Sequence, residues 1–161
     1  MKEEEAFEVH FAENEEWEDA MELAWRTFLE FEAKDYTPEG IRSFEDFISD
    51  TGLKRMFLSG DYQMMVARKG GRLVGMVTLR DKIHISLLFV EKRGHRQGIG
   101  RALIGGMADY ARKKSGACRL TVNASPYGVA FYHKIGFKDL GPEQHREGII
   151  FTPMEYVLAG G

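Results

Sequence analysis

Val90-Glu91-Lys92-Arg93-Gly94-His95-Arg96-Gln97-Gly98-Ile99-Gly100-Arg101-Ala102-Leu103 decides the reading of this 161-residue chain. An apolar run, Ile83 to Val90, enters a basic, glycine-bearing turn, and the turn opens a helix with Leu103, Met107 and Ala111 on its apolar face. The first-turn N–H groups of a helix have no intrahelical partner and carry the positive end of its dipole. Gly98 and Gly100 leave those donors unshielded, so the segment predicts a cradle for a phosphate or pyrophosphate. It is not a P-loop, because Gly94 is not followed by the required Gly-Lys-Ser/Thr series. Nor is it a dinucleotide fingerprint, since Leu103 occupies the third glycine position.

The composition sets bounds. One well-buried domain over residues 1–161 is expected, with no linker, repeat or low-complexity segment. No apolar run approaches the roughly 20 residues of a membrane span. The acidic start, Met1-Lys2-Glu3-Glu4-Glu5, lacks the apolar stretch of a secretory signal. The lone cysteine, Cys118, excludes an internal disulfide and is expected in the core. A cytoplasmic protein is expected.

The net charge of −3 argues against general nucleic-acid binding. Residues 1–50 hold 17 of the 25 acidic side chains and only four basic ones, whereas Lys92, Arg93, Arg96 and Arg101 cluster within residues 92–101. A local basic patch on an acidic chain suits capture of a small polyanion.

Phe7, Val9 and Phe11 alternate within a first strand, 5–12. Asn14 is the expected cap of a helix carrying Trp17, Met21, Ala24, Trp25 and Phe28 at helical spacing. Thr37-Pro38-Glu39 starts a second helix, and a short helical piece follows at 53–58. Strands at 62–68 and 72–79 flank the hairpin signal Lys69-Gly70-Gly71, and Asp81-Lys82 turns the chain into a strand over 83–90. A helix over 99–115 ends at Gly116. A strand at 119–122, a helix at 129–135 and strands at 137–140 and 149–158 follow, with Pro153 marking a bulge or edge. The order is α/β, with an antiparallel front half and one parallel crossover.

A second segment, Asn123-Ala124-Ser125-Pro126-Tyr127-Gly128-Val129-Ala130-Phe131-Tyr132-His133-Lys134-Ile135-Gly136-Phe137, sets an Asn before an Ala-x-x-Tyr-x-x-x-Gly-Phe-like run. With Gly98-Ile99-Gly100 set eight residues after Val90, and with the element order, the chain resembles the GNAT (GCN5-related) N-acetyltransferases over nearly its whole length. His95 stands where that family has Gln or Arg.

The resemblance implies a central mixed, mostly antiparallel sheet of about seven strands with four flanking helices. It implies an acetyl-CoA-dependent N-acetyltransferase acting on a small-molecule or peptide amine by direct attack in a ternary complex. A CoA-binding sensor without turnover and a nucleotide-binding domain are the alternatives. Homodimerisation through the last strands is also implied.

Carried over by position, the acetyl-CoA site would comprise Leu88, Phe89, Val90, His95, Arg96, Gln97, Gly98, Ile99, Gly100, Arg101, Asn123 and Tyr132. Leu88 would polarise the thioester carbonyl through its N–H. Tyr132 would protonate the leaving thiolate. His84, or a water it holds, would take the amine proton. Period-2 alternation puts His84 on one face with Ser86, Leu88 and Val90. Each side chain has an alternative in packing alone: Tyr132 against the sheet, His84 beside a strand neighbour. The acceptor would lie among Phe28, Phe31, Glu32, Tyr36 and Phe44, with Tyr127 and His145 opposite. No histidine or cysteine shows ligand spacing, so no metal is expected. Gly105-Gly106 inside the long helix has no account at this level.

Overall fold

The structure is a computed structural model that describes residues 6–92 and 98–158. Its eight strands are β1 (Phe7–Phe11), β2 (Gln63–Lys69), β3 (Arg72–Arg80), β4 (His84–Val90), β5 (Arg119–Ala124), β6 (Lys138–Asp139), β7 (Gln144–Arg146) and β8 (Ile149–Val157). Its α-helices are α1 (Trp17–Phe31), α2 (Pro38–Ile48), α3 (Thr51–Ser59), α4 (Ile99–Ser115) and α5 (Val129–Ile135). The sheet runs β1-β2-β3-β4-β5-β8-β6, with β7 also on β8. All neighbours are antiparallel except β4 and β5.

The short helical piece expected at 53–58 is the full helix α3. β6 and β7 meet consecutive stretches of β8, Lys138 opposite Glu155 and Gln144 opposite Phe151, so the sheet is seven strand positions wide.

Local signals explain most boundaries. Thr37 Oγ1 accepts from the Gly40 N–H (3.1 Å) and Pro38 takes the first helical position, starting α2 as expected. Gly70 and Gly71 both have positive φ between Lys69 and Arg72, as a tight hairpin requires. Asn14 does not cap α1. A 3-10 turn, Asn14–Glu16, precedes the helix, and its cap is Glu13, whose N–H donates to the Glu16 carboxylate (2.8 Å). Glu16 is buried and also accepts from Arg68 Nε (2.9 Å), so a salt bridge won over the Asx cap.

Cys118 is exposed, not in the core; its carbonyl accepts from the Leu158 N–H (2.9 Å) just before β5 begins. Pro153 lies inside β8, not at a sheet edge. Its carbonyl accepts from the Leu140 N–H (2.8 Å), so its missing donor faces Leu140 just past the end of β6, where the reciprocal bond of the pair cannot form.

Two apolar clusters cover the two faces of the sheet. One joins α4 and α5 to Val77, Ile85, Leu120 and Val122; the other joins α1, α2 and α3 to Met76, Leu87 and Phe89. Ile85 and Leu87 have the same parity in sequence yet belong to opposite faces. The cause is a β-bulge: Leu79 pairs with Ile85 and Thr78 with Leu87, leaving Ser86 without a partner on β3. His84 therefore does not share a face with Leu88 and Val90, contrary to the period-2 expectation. Its Nδ1 lies 2.9 Å from Thr121 Oγ1 on β5.

The parallel ladder between β4 and β5 has only two pairs, His84 with Thr121 and Ile85 with Val122. Beyond the bulge the strands separate. β4 stays with β3 up to Val90, and β5 stays with β8 up to Ala124.

The glycine pair in α4 also finds its account. Gly106 faces β2, where a Cβ would stand 2.8 Å from Met65 Cε, so close helix–sheet packing needs it; a Cβ on Gly105 meets nothing within 4 Å. Gly105→Ala should therefore raise stability by about 0.5–1 kcal/mol through helix propensity. Gly106→Ala should fall short of that gain, and urea unfolding of the two variants checks the contrast.

Candidate active site

The gap between β4 and β5 is the waist of a cavity of about 750 Å³. Ser86 to Val90 form one side and Val122 to Ala124 the other. On one face of the sheet the wall is the end of α1 with Tyr36 and Phe44; on the other it is the first turn of α4 and the exposed side of α5.

At the α4 end, Gly98 caps the helix with φ +82°, a conformation that favours glycine. The Ala102 N–H already bonds to Gly98 O (2.9 Å), which leaves the donors of the preceding residues to the cavity. Gly100 lets α4 approach α5: a Cβ there would meet Phe131 Cζ at 2.9 Å. Arg101 and Lys134 line this end, so the helix dipole and two cations converge on it. Arg93, His95, Arg96 and Gln97 lie outside the described residues.

At the waist, backbone alternation aims Leu88. The Glu91 N–H donates to Val74 O (3.0 Å), so odd-numbered residues of this stretch bond toward β3 and the Leu88 N–H points toward β5, past the end of the ladder. Asn123 lines the opposite side. Tyr132 is buried, packed edge-on against Phe131 and Phe137, and lines the cavity. Burial, and then the charge of Glu32, push its phenol far above the usual tyrosine range, so it stays protonated at neutral pH.

On the α1 side, Phe31, Glu32, Tyr36 and Tyr127 line the cavity together with Phe44. Phe31 and Tyr127 stack at 5.0 Å, joining α1 to the segment before α5. Phe28 is a correction. It is wholly buried, stacked on Phe44 at 4.1 Å and edge-on to Tyr36 at 4.9 Å, and so backs the wall without lining it. His145 sits exposed on β7 beside Glu143 and does not reach the cavity. The β7–β8 turn nevertheless braces this side, because Gly148 O accepts from the Thr37 N–H (3.2 Å) at the start of α2.

Glu32 is the group whose weight sequence reasoning underestimated. It caps the C-terminal end of α1, where helix carbonyls already concentrate negative charge. Burial first, and then the charge of Asp35, raise its carboxyl to about 7, with the Ser125 hydroxyl acting to lower it. The Ser125 hydroxyl lines the same cavity and accepts from the Gly128 N–H (3.2 Å). Nothing local marks this pair; the partners are 93 positions apart. His84 is not part of the cavity lining, and burial lowers its imidazole below the ordinary histidine range. No cluster of metal-ligating side chains occurs among the described residues.

Among the described residues no helix is long and apolar enough to cross a membrane. No curated protein sequence matches the chain. Solved structures do. A GCN5-related N-acetyltransferase from Rhodopseudomonas palustris superposes with a TM-score of 0.81 at 22% identity, covering 98% of this chain and 99% of that one. The PaiA N-acetyltransferase from Thermoplasma acidophilum, in complex with coenzyme A, gives 0.77 at 20% identity over 94% and 99%. A spermidine N-acetyltransferase chimera from Vibrio cholerae and hSSAT gives 0.66 at 14% over 95% and 96%. At these identities the likeness is one of fold. The acetyltransferase (GNAT) domain profile matches residues 32–158, which include the α4 turn, the splayed strands and Tyr132, and the chain belongs to the GNAT acetyltransferase family.

Proposed function

We propose that the protein transfers an acetyl group from acetyl-CoA to a primary amine by direct attack within a ternary complex. The observation that carries this reading is the cavity passing through the sheet, with anion-binding groups at one end and a carboxylate among aromatic rings at the other. Acetyl-CoA would place its pyrophosphate against the first turn of α4 and Arg101, and its pantetheine arm beside Asn123. A coenzyme A complex of the same fold supports that end, and a spermidine acetyltransferase neighbour supports an amine acceptor. The lone, exposed Cys118 suits a reducing compartment such as the cytoplasm.

In the chemical step the amine nitrogen bonds to the thioester carbon, and the Leu88 N–H receives the charge growing on the carbonyl oxygen. The carbon–sulfur bond then breaks, and Tyr132 gives its proton to the departing sulfur. The amine proton leaves on the acceptor side of the waist. No covalent acyl-enzyme is required.

Following free thiol while titrating acetyl-CoA against a panel of amines tests the reading. Acceptor-dependent thiol release is expected, whereas CoA binding without it would mark a sensor. Tyr132→Phe should lower kcat by about 100-fold, with affinity for acetyl-CoA held. Arg101→Ala should instead raise the KM for acetyl-CoA by about tenfold, the worth of one charge-assisted hydrogen bond, and leave kcat in place.

A further inference from the structure

We propose that Glu32, oriented by Ser125, receives the ammonium group of the acceptor and then its proton, and that the acceptor is a primary amine on a compact apolar or aromatic body. This rests on the acetyltransferase reading above and deepens it. The acceptor side of the cavity combines one carboxylate with the rings of Phe31, Tyr36, Phe44 and Tyr127. An ammonium beside Glu32 gains an ion pair and cation–π contact at once, while the rings receive the carbon skeleton.

A polyamine would bring further ammonium groups against those rings with no second carboxylate in the described lining. Asp35 and Glu30 are close enough to be felt by Glu32 and Tyr127 respectively, but neither lines the cavity.

The same carboxylate suits the proton step. An ammonium is not a nucleophile, so it gives one proton to Glu32, which passes it to solvent, before the nitrogen attacks. The second, carried by the nitrogen once the carbon–nitrogen bond has formed, goes to Glu32 in turn. Tyr132 supplies the proton on the departing sulfur and is reprotonated from solvent. Glu32 stands on the acceptor side of the waist, close enough for its charge to be felt by Tyr132. The acid and the base thus occupy one cavity, whereas His84 lies outside its lining. Ser125 is the positioning residue: it lines the cavity together with Glu32, its hydroxyl accepts from the Gly128 N–H, and its effect on the Glu32 carboxyl is to lower it. The groups facing Glu32 are Asp35 and Tyr36 from the turn after α1, Tyr127 from the segment before α5, and Tyr132 from α5. Arg101 and Lys134 line the same cavity.

The test measures kcat/KM against pH with 2-phenylethylamine, spermidine and a lysine-bearing peptide. Wild type should prefer 2-phenylethylamine and rise with a flank near pH 7, as free Glu32 ionises to about 7. Glu32→Gln should lose that flank and about 100-fold in rate. Ser125→Ala should move the flank upward, since it removes a hydrogen bond that favours the carboxylate, and Ser125→Thr should restore it.

A flank that survives Glu32→Gln, or vanishes in His84→Asn instead, overturns the proton role. Preference for spermidine or the peptide overturns the acceptor class. Direct titration with 2-phenylethylamine separates this proposal from the acetyltransferase reading. Binding should tighten from about pH 6 to about pH 8 in wild type and not in Glu32→Gln, even if no thiol is ever released. Equal, pH-independent binding overturns the Glu32 site.

Thermal unfolding shows that the variant folds. Glu32 has its pKa raised on folding, so wild type loses stability as pH climbs from about 4.5 to about 7. Glu32→Gln should accordingly have the higher Tm at about pH 8 and match wild type near pH 4.5.

Discussion

The site depends on one extra residue in β4. Ser86 has no partner across the β3–β4 ladder, and its hydroxyl lies 3.0 Å from the Tyr62 hydroxyl, which in turn lies 2.7 Å from Thr78 Oγ1. The Tyr62 side chain is almost wholly buried, so this small cluster ties the bulge to the core. A bulge bends its strand and sharpens the local twist. Here the bend takes β4 away from β5 after two pairs, and the backbone of Leu88 faces a gap where a parallel neighbour would otherwise stand. Helix α4, α5 and the end of α1 then close around that gap.

The two ends of the cavity have opposite electrostatic character, and the chain builds each by a different means. The α4 end is positive through the N-terminal end of the helix dipole at Gly98, with Arg101 and Lys134 beside it. The α1 end is negative through a single side chain placed against its own helix terminus, an arrangement unfavourable to the carboxylate until a cation joins it. Such a group is poised to exchange a proton near neutral pH, and the phenol of Tyr132 across the waist is poised to keep one. Two titratable groups pushed to different roles by their surroundings are what a proton relay between nucleophile and leaving group needs.

Features carried by short-range patterns were legible in the sequence. The bounds of α4 and α5, both turns of the central hairpins and the Thr37 cap follow from spacing, caps and glycines, while the family resemblance pointed to Gly98 to Arg101, Asn123 and Tyr132, which line the cavity. Phe28 was misread because an aromatic in an amphipathic stripe looks the same whether it lines a wall or stands behind one. Asn14 lost its capping role to Glu13 and Glu16, whose advantage comes from Arg68, 52 residues away from Glu16. Cys118 was assigned to the core by residue type, yet it sits at the exposed entry to β5.

The sequence by itself determined the order of elements, the donor-side turn and the family resemblance, because these rest on neighbours within a few residues. Tertiary structure alone decided that Glu32 lines the cavity with Ser125 and that His84 does not line it. His84 shares a face with Leu88 only if β4 is regular, and the pairing with β3 makes it irregular. Glu32 is one acid among many in the first 50 residues until folding half-buries it in the cavity wall that Ser125 also lines. Burial and long-range pairing change a group's chemistry without leaving a mark on the residues beside it.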